Sequence, residues 1–175
     1  QRPKRLPVVM SRGEVVALLD ELTPPWLLMA ELLYGAGVRL MECLTLRVKD
    51  IDFERHQLSV RRGKGAKDRI TLLPASLSEA LKAHLKERRV EHVLDLARGD
   101  GRVEVPFALA RKYPNAPTEF RWQWVFPATR TYVDERTGER RKHHIHETAL
   151  QRAVRDASLR ANIDKPVSCH TLRHS

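Results

Sequence analysis

The hydrophobic period of the chain changes at Asp50, and that change limits the fold more than any other feature. Before it, apolar residues recur at helical spacing. After it, "DIDF", "HQLSV" and "RITLLP" read as short strands. "RRGKGAKD", with Gly63 and Gly65, reads as the turn between the last two, so a three-stranded antiparallel meander is expected. On the N-terminal side, Ser11 and Glu14 stand in capping-box spacing and start a helix. Thr23-Pro24-Pro25 ends it and opens "WLLMAELLY", which Gly35 and Gly37 break. "VRLMECLTL" resumes helical spacing, with Leu40, Cys43 and Leu44 as an apolar stripe. Beyond the strands lies the longest predicted helix, "SLSEALKAHLKERRVEHVLDLA", with Ser76 and Glu79 as a second capping box and Gly99-Asp100-Gly101 as its stop. "VPFALARKYPNAPTEFRWQWVFP" is irregular, and Thr137-Gly138 turns between the polar arms of "YVDERTGERRKHH". "ETALQRAVRDASLRA" is an amphipathic helix with Ala149, Leu150, Ala153, Val154 and Ala157 on one side. The expected fold class is α+β, mainly α-helical with one small three-stranded antiparallel sheet.

A chain of 175 residues fits one domain, or one domain with a small insertion. The 32 Lys and Arg outnumber the 22 Asp and Glu, leaving a net charge of +10. That balance points to a polyanionic partner. Nucleic acid fits better than a membrane, because no basic amphipathic helix carries a Trp/Phe/Leu face and no apolar run approaches the roughly 20 residues of a span. "QRPKRLP" at residues 1–7 is no signal peptide; its two prolines make it a basic, extended linker. Cys43 and Cys169 stand in no metal-type spacing and are expected as free, buried thiols in a reducing cytosol.

Several segments have residues of the right type for chemistry. In "YGAGVRLMECL" two glycines allow a tight turn before a helix, and Arg39 falls in the predicted first turn, where the helix dipole opposes a cation. An Arg–Glu helix pair with Glu42 accounts for the spacing, and so does a phosphate site with Glu42 holding the guanidinium. Arg61, Arg62, Lys64, Lys67 and Arg69 crowd the hairpin, either as a solvated turn or as a source of a lysine that reaches phosphate or acts as a general acid. In "SCHTLRHS", His170 and Arg173 share one helical face. His170 and His174 are also an i, i+4 pair, but no acidic or cysteine partner completes a metal pattern, so no metal is assigned. Trp122, Trp124, His143 and His144 combine aromatic faces with positive charge, as core tryptophans beside solvated histidines or as a surface that stacks unpaired bases.

In this order, "GAGVRLMECLTLRVKDID", "GKGAKDRITLLP" and "CHTLRHS" resemble the first arginine box, the hairpin lysine box and the His-x-x-Arg box of the tyrosine recombinase (phage-type integrase) family, and the resemblance covers nearly the whole chain as its catalytic domain. It implies Arg39 and Arg173 as the catalytic arginines, Glu42 as the buttress of the first, His170 as the first catalytic histidine, and Lys64, between the turn glycines, as the hairpin lysine. Arg62, Lys67 and Arg69 would lie against DNA. The implied reaction is attack by a tyrosine on the scissile phosphate, giving a covalent 3'-phosphotyrosine with no metal or other cofactor. The segment around residues 105–145 is similar to the insert of integron integrases. That implies recognition of a folded single-stranded hairpin, with Trp122 stacking an extrahelical base and His143 and His144 in the same patch.

The family's nucleophile motif follows the His-x-x-Arg box, and none of Tyr34, Tyr113 and Tyr132 matches it. Residues 1–7 are therefore expected to be a linker from an N-terminal DNA-clamp domain. Residues 8–175 are expected to be a catalytic domain cut before its nucleophile and unable to cleave DNA alone. The resemblance further implies a tetramer on DNA for the full-length protein and a cytoplasmic, nucleoid-associated bacterial setting. The competing readings are a generic phage- or Xer-type recombinase, a non-catalytic DNA-binding remnant, and a zinc-bound structural module.

Overall fold

The computed structural model describes residues 8–61 and 68–175. They form two compact units, one from the residues up to Cys43 with Glu147–Ser175, the other from Leu44–His146. The fold class is α+β, as the sequence predicts.

In the first unit, α1 (Arg12–Asp20) opens with the predicted capping box: Glu14 N–H donates to Ser11 Oγ, and Ser11 N–H donates to the Glu14 carboxylate. The next helix, α2 (Trp26–Gly35), is apolar on nearly every side, a pattern that requires neighbours all round. It has them: α1, α6 (Glu147–Arg160) and α7 (Cys169–His174) pack on it, and Leu28, Met29, Ala30, Leu32 and Leu33 are buried. Leu150, Val154 and Ala157 of α6 are buried, with Arg152, Arg155 and Asp156 exposed, as the period predicts. Lys165 Nζ donates to Glu14 Oε2 at 2.7 Å, and the Arg160 guanidinium grips Glu21, tying distant segments of this unit together. One expectation is corrected here. The helix α3 (Leu40–Leu44) has only five residues, and Arg39 precedes it rather than lying in its first turn; the Arg39 carbonyl accepts the Cys43 N–H at 2.9 Å. Cys43 and Cys169 are both free and buried.

In the second unit, β1 (Ile51–Asp52), β2 (Gln57–Val60) and β3 (Arg69–Leu72) form the predicted antiparallel meander, with Asp52 opposite Gln57 and Val60 opposite Arg69. Leu58 and Val60 point into the core, while Gln57 and Ser59 are half-buried. Arg62, Lys64 and Lys67 lie outside the described residues; the strands on either side of them are paired. The long helix α4 (Ala75–Ala97) starts earlier than predicted, with Pro74 at its N-cap. Ser76 is thus inside the first turn, and its predicted capping box with Glu79 is replaced by a proline that has no N–H to leave unpaired.

A second sheet, absent from the sequence expectation, is built by β4 (Arg102–Val103), β5 (Pro127–Val133) and β6 (Arg140–His144), in the order β4-β6-β5. β5 and β6 form an antiparallel hairpin, and β4 joins β6 in parallel. At its turn Gly138 takes φ +71°, which glycine adopts without strain, and donates its N–H to Asp134 O at 2.7 Å. No apolar alternation marks these strands, because few of their side chains are buried. Their support is a small cluster of Val103, Val105 and Trp124, with Trp122, Leu109 and Ala110 packed on it; Leu109 and Ala110 come from α5 (Phe107–Lys112).

Three histidines of this unit bear on its pH response. Burial lowers the pKa of His84, His92 and His144 below the ordinary value of 6.5. Each ring stays neutral in the folded unit at a pH where the unfolded chain binds a proton. Stability is therefore full above that value and declines as pH falls from there toward the lower folded values. The urea midpoint, followed by tryptophan fluorescence, is expected to drop between about pH 7.5 and about pH 5.5. An unchanged midpoint would show that these rings pay no penalty for staying neutral.

Candidate active site and nucleic-acid interface

The first cluster of candidate residues lies in the helical unit. Gly37 holds φ +62°, the backbone turn that brings the chain from α2 to Arg39. Glu42 then binds Arg39 twice: Oε2 accepts the Arg39 backbone N–H at 2.7 Å, and Oε1 accepts from Nη1 at 2.7 Å. The Glu42 side chain is 6% exposed against 42% for that of Arg39. A carboxylate so buried needs a cation and an N–H to offset its lost hydration, and Arg39 supplies both. The guanidinium is thereby fixed at a partly open surface.

α7 brings the second arginine to the same turn. Ser168 caps it, its Oγ accepting the Thr171 N–H at 3.1 Å. Cys169, Thr171 and Leu172 are buried, and Arg173, one turn on from Cys169, is half-buried. Its Nε donates to Gly37 O at 2.8 Å, so Arg173 is anchored two residues before Arg39. That bond uses neither of its terminal NH2 groups. Arg173, from the far end of the sequence, is thus anchored to the turn that leads into Arg39, while the Arg39 guanidinium is held on Glu42. His170 is exposed, and its Nε2 lies 3.1 Å from His174 Nε2. No group of three or more His, Cys, Asp or Glu that could hold a metal occurs among the described residues.

The second cluster lies in the other unit. The His143 and His144 rings lie tilted against each other, with centroids 4.0 Å apart. Trp124 meets His144 edge-on at 5.4 Å and His143 at 6.3 Å, and Tyr132 lies 6.2 Å from His143. Trp124 is buried, and its Nε1 donates to Lys142 O at 3.2 Å. The Arg47 guanidinium lies 3.8 Å over the Trp124 ring, and Lys49 Nζ lies 4.4 Å over the Trp122 ring. Trp122 itself is half-buried. The sequence grouped Trp122 directly with the two histidines. In the structure Trp124 is the ring that touches both of them, and Trp122 joins the patch through the shared apolar cluster and Arg47. Burial pushes the Arg47 pKa down to about 10, against the pull of Asp50 and Glu104. Burial also lowers that of Lys49. Arg69, on β3, is half-buried opposite Val60.

Sequence reasoning did not single out Arg47, Lys49 or Asp50. Their signal was the charged run "RVKD" between a helix and a strand, a place where surface charge is ordinary. Only the fold shows that Asp50 is buried and that two of these cations lie on tryptophan faces.

Comparison with known proteins adds the following. The pattern described as the Phage integrase family matches residues 9–175. An "Integrase/recombinase" of Escherichia coli is 45% identical over 172 residues, 98% of this chain and 51% of that protein, and one of Pseudomonas aeruginosa matches equally. The tyrosine recombinase XerA of Thermococcus onnurineus is 46% identical over 89 residues, 49% of this chain and 32% of that protein. The chain therefore spans about half the length of the first curated relatives it matches. Among solved structures, XerH site-specific recombinase bound to difH substrate before cleavage superposes with a TM-score of 0.61 at 21% identity, over 98% of this chain and 42% of that one. The XerA recombinase crystal structure gives 0.59 at 24%, over 98% and 50%. These likenesses bear on the fold. No helix among the described residues is long and apolar enough to cross a membrane.

Proposed function

The chain belongs to the phage integrase family, and from that premise we propose that it forms the phosphate-binding part of a site-specific DNA recombinase, which breaks and rejoins strands through a covalent 3'-phosphotyrosine. Arg39 and Arg173 neutralise the non-bridging oxygens of the scissile phosphate, and Glu42 holds Arg39 in place. His170 assists proton transfer or phosphate binding. Lys64, outside the described residues, protonates the departing 5'-oxygen. The supporting observation is the pair of anchors at one turn: Arg39 on Glu42, and Arg173 on Gly37 O. The test is a suicide recombination substrate. The full open reading frame that encodes the chain is expected to trap as a covalent adduct. The 175 residues alone are expected not to, since none of their tyrosines is assigned as nucleophile. An adduct from the isolated chain would overturn that assignment.

The finer reading is an integron-type integrase that acts on gene-cassette sites as a tetramer and reads a folded single strand through its insert. The aromatic and basic patch of Trp122, Trp124, His143 and His144 favours it over a generic phage- or Xer-type enzyme. Binding is expected to weaken steeply with salt. A hairpin with bulged bases should bind more tightly than a perfect duplex. One base–aromatic stack is worth about 1–3 kcal/mol, so Trp122→Ala should cost the bulged hairpin at least roughly fivefold in affinity and leave the duplex nearly unchanged. Equal wild-type affinity for the two DNAs, by fluorescence anisotropy, would leave the generic recombinase.

A further inference from the structure

Asp50 is 4% exposed and stands where the chain enters β1. Its Oδ1 accepts from Arg61 Nε at 2.7 Å and from Lys49 Nζ at 3.1 Å, and its Oδ2 accepts the Arg47 backbone N–H at 3.2 Å. One buried carboxylate therefore holds three residues that lead in two directions.

The first direction is the aromatic patch. Lys49 lies on the Trp122 ring and Arg47 on the Trp124 ring. Arg47 also donates from Nη1 to Trp122 O at 2.5 Å and from Nη2 to Glu104 O at 2.7 Å. Backbone bonds run alongside: Val48 N–H donates to Gln123 O at 3.1 Å, and Val125 N–H donates to Leu46 O at 2.9 Å. The second direction is the meander. Arg61 directly follows β2, and its Nη1 is 3.9 Å from Asp68 Oδ2, just ahead of β3. Arg61 thus reaches from Asp50 to the opposite arm of the β2–β3 pair.

We infer that Asp50 is a positioning residue that couples base recognition at the Trp122–Trp124 patch to the setting of the β2–β3 arms through Arg61. The inference rests on the recombinase reading above and deepens it. A base that stacks on the Trp122 face covered by Lys49 displaces that ammonium, which shares Oδ1 of Asp50 with Arg61. Moving one cation changes the hold on the other. Occupancy of the patch is thereby read as a change in reaction rate, beyond the change in affinity that stacking gives by itself.

The test uses the full open reading frame and two DNAs, a hairpin with bulged bases and a perfect duplex. Affinity and single-turnover adduct formation at saturating DNA are measured for wild type, Arg61→Ala, Arg61→Lys and Asp50→Asn. Arg61 has a half-exposed side chain, so its substitution spares the core if Asp50→Asn folds poorly. The wild type should form adduct faster on the bulged hairpin by roughly tenfold, within the range of coupled sites. Arg61→Ala and Asp50→Asn should bring that rate ratio to about one while keeping the affinity preference for the bulge. Arg61→Lys, which keeps the charge, should restore part of the ratio. Loss of rate and affinity preference together, retention of both in Arg61→Ala, or a wild-type rate ratio near one each overturns the coupling. A wild type that forms no adduct on either DNA overturns the recombinase reading itself, and the inference with it.

Discussion

Alanine at Arg39 or at Arg173 is expected to slow covalent adduct formation on a suicide substrate by about 100- to 1,000-fold, the usual cost of removing one preorganised donor from a developing oxyanion. The two losses should differ in character. Arg173 leans on a backbone carbonyl, so its removal strips a cation from the site and leaves Gly37 O to water. Arg39 pairs with a carboxylate of 6% exposure, so its removal also takes an ion pair from a buried charge. Arg39→Ala should therefore unfold more readily than Arg173→Ala, and Arg39→Ala with Glu42→Ala should recover stability without recovering the reaction. Lysine at position 39 keeps the charge and a donor for Glu42 but presents a point charge in place of a planar guanidinium, so it should rescue stability better than rate. Thermal melts and single-turnover assays on the same four variants decide the matter. If Arg39→Lys reacts at the wild-type rate, the forked geometry is not what the site uses.

Phe126→Ala should cost roughly 3–5 kcal/mol of stability, the usual range for a large aromatic removed from a packed core. The ring is 1% exposed and lies 5.1 Å from that of His84, whose Nε2–H donates to Val125 O at 2.7 Å. The Phe126 carbonyl also accepts the Ile145 N–H, which joins it to the residue after β6. Deleting the ring opens the side of His84 that burial now keeps neutral. Besides a lower urea midpoint, the variant should thus show a shallower loss of stability between about pH 7.5 and about pH 5.5. A variant with wild-type pH dependence would mean that His84 owes its lowered pKa to other neighbours.

Helices were legible in the sequence where one face carries the packing. Ser11 and Glu14 marked the start of α1, and the stripe from Leu150 to Ala157 gave α6 its inner face. The meander was legible because Leu58 and Val60 alternate with polar residues. The second sheet was hidden because "RRKHH" reads as solvated charge, and its backbone ladder leaves no trace in side-chain pattern. At the candidate site, the contact of Arg39 with Glu42 was readable from their i, i+3 spacing. Gly37 as the anchor of Arg173 was not, since any residue has a carbonyl to offer and only the fold selects one. The same holds for Asp50, an acid like its neighbour Asp52 in sequence but enclosed among cations in space.

The backbone bonds from Leu46 and Val48 to Val125 and Gln123 bear on how such a protein could be re-engineered. On the integron-type reading proposed above, the segment around residues 105–145 is the piece to transplant between relatives. Here the natural cut points are misleading, because a graft limited to residues 105–145 would leave Arg47 and Lys49 of the host facing foreign rings. A chimera that carries residues 46–50 along with the insert keeps donor, acceptor and cation from one parent. The transferable unit is discontinuous in sequence, and its smaller piece is five residues long.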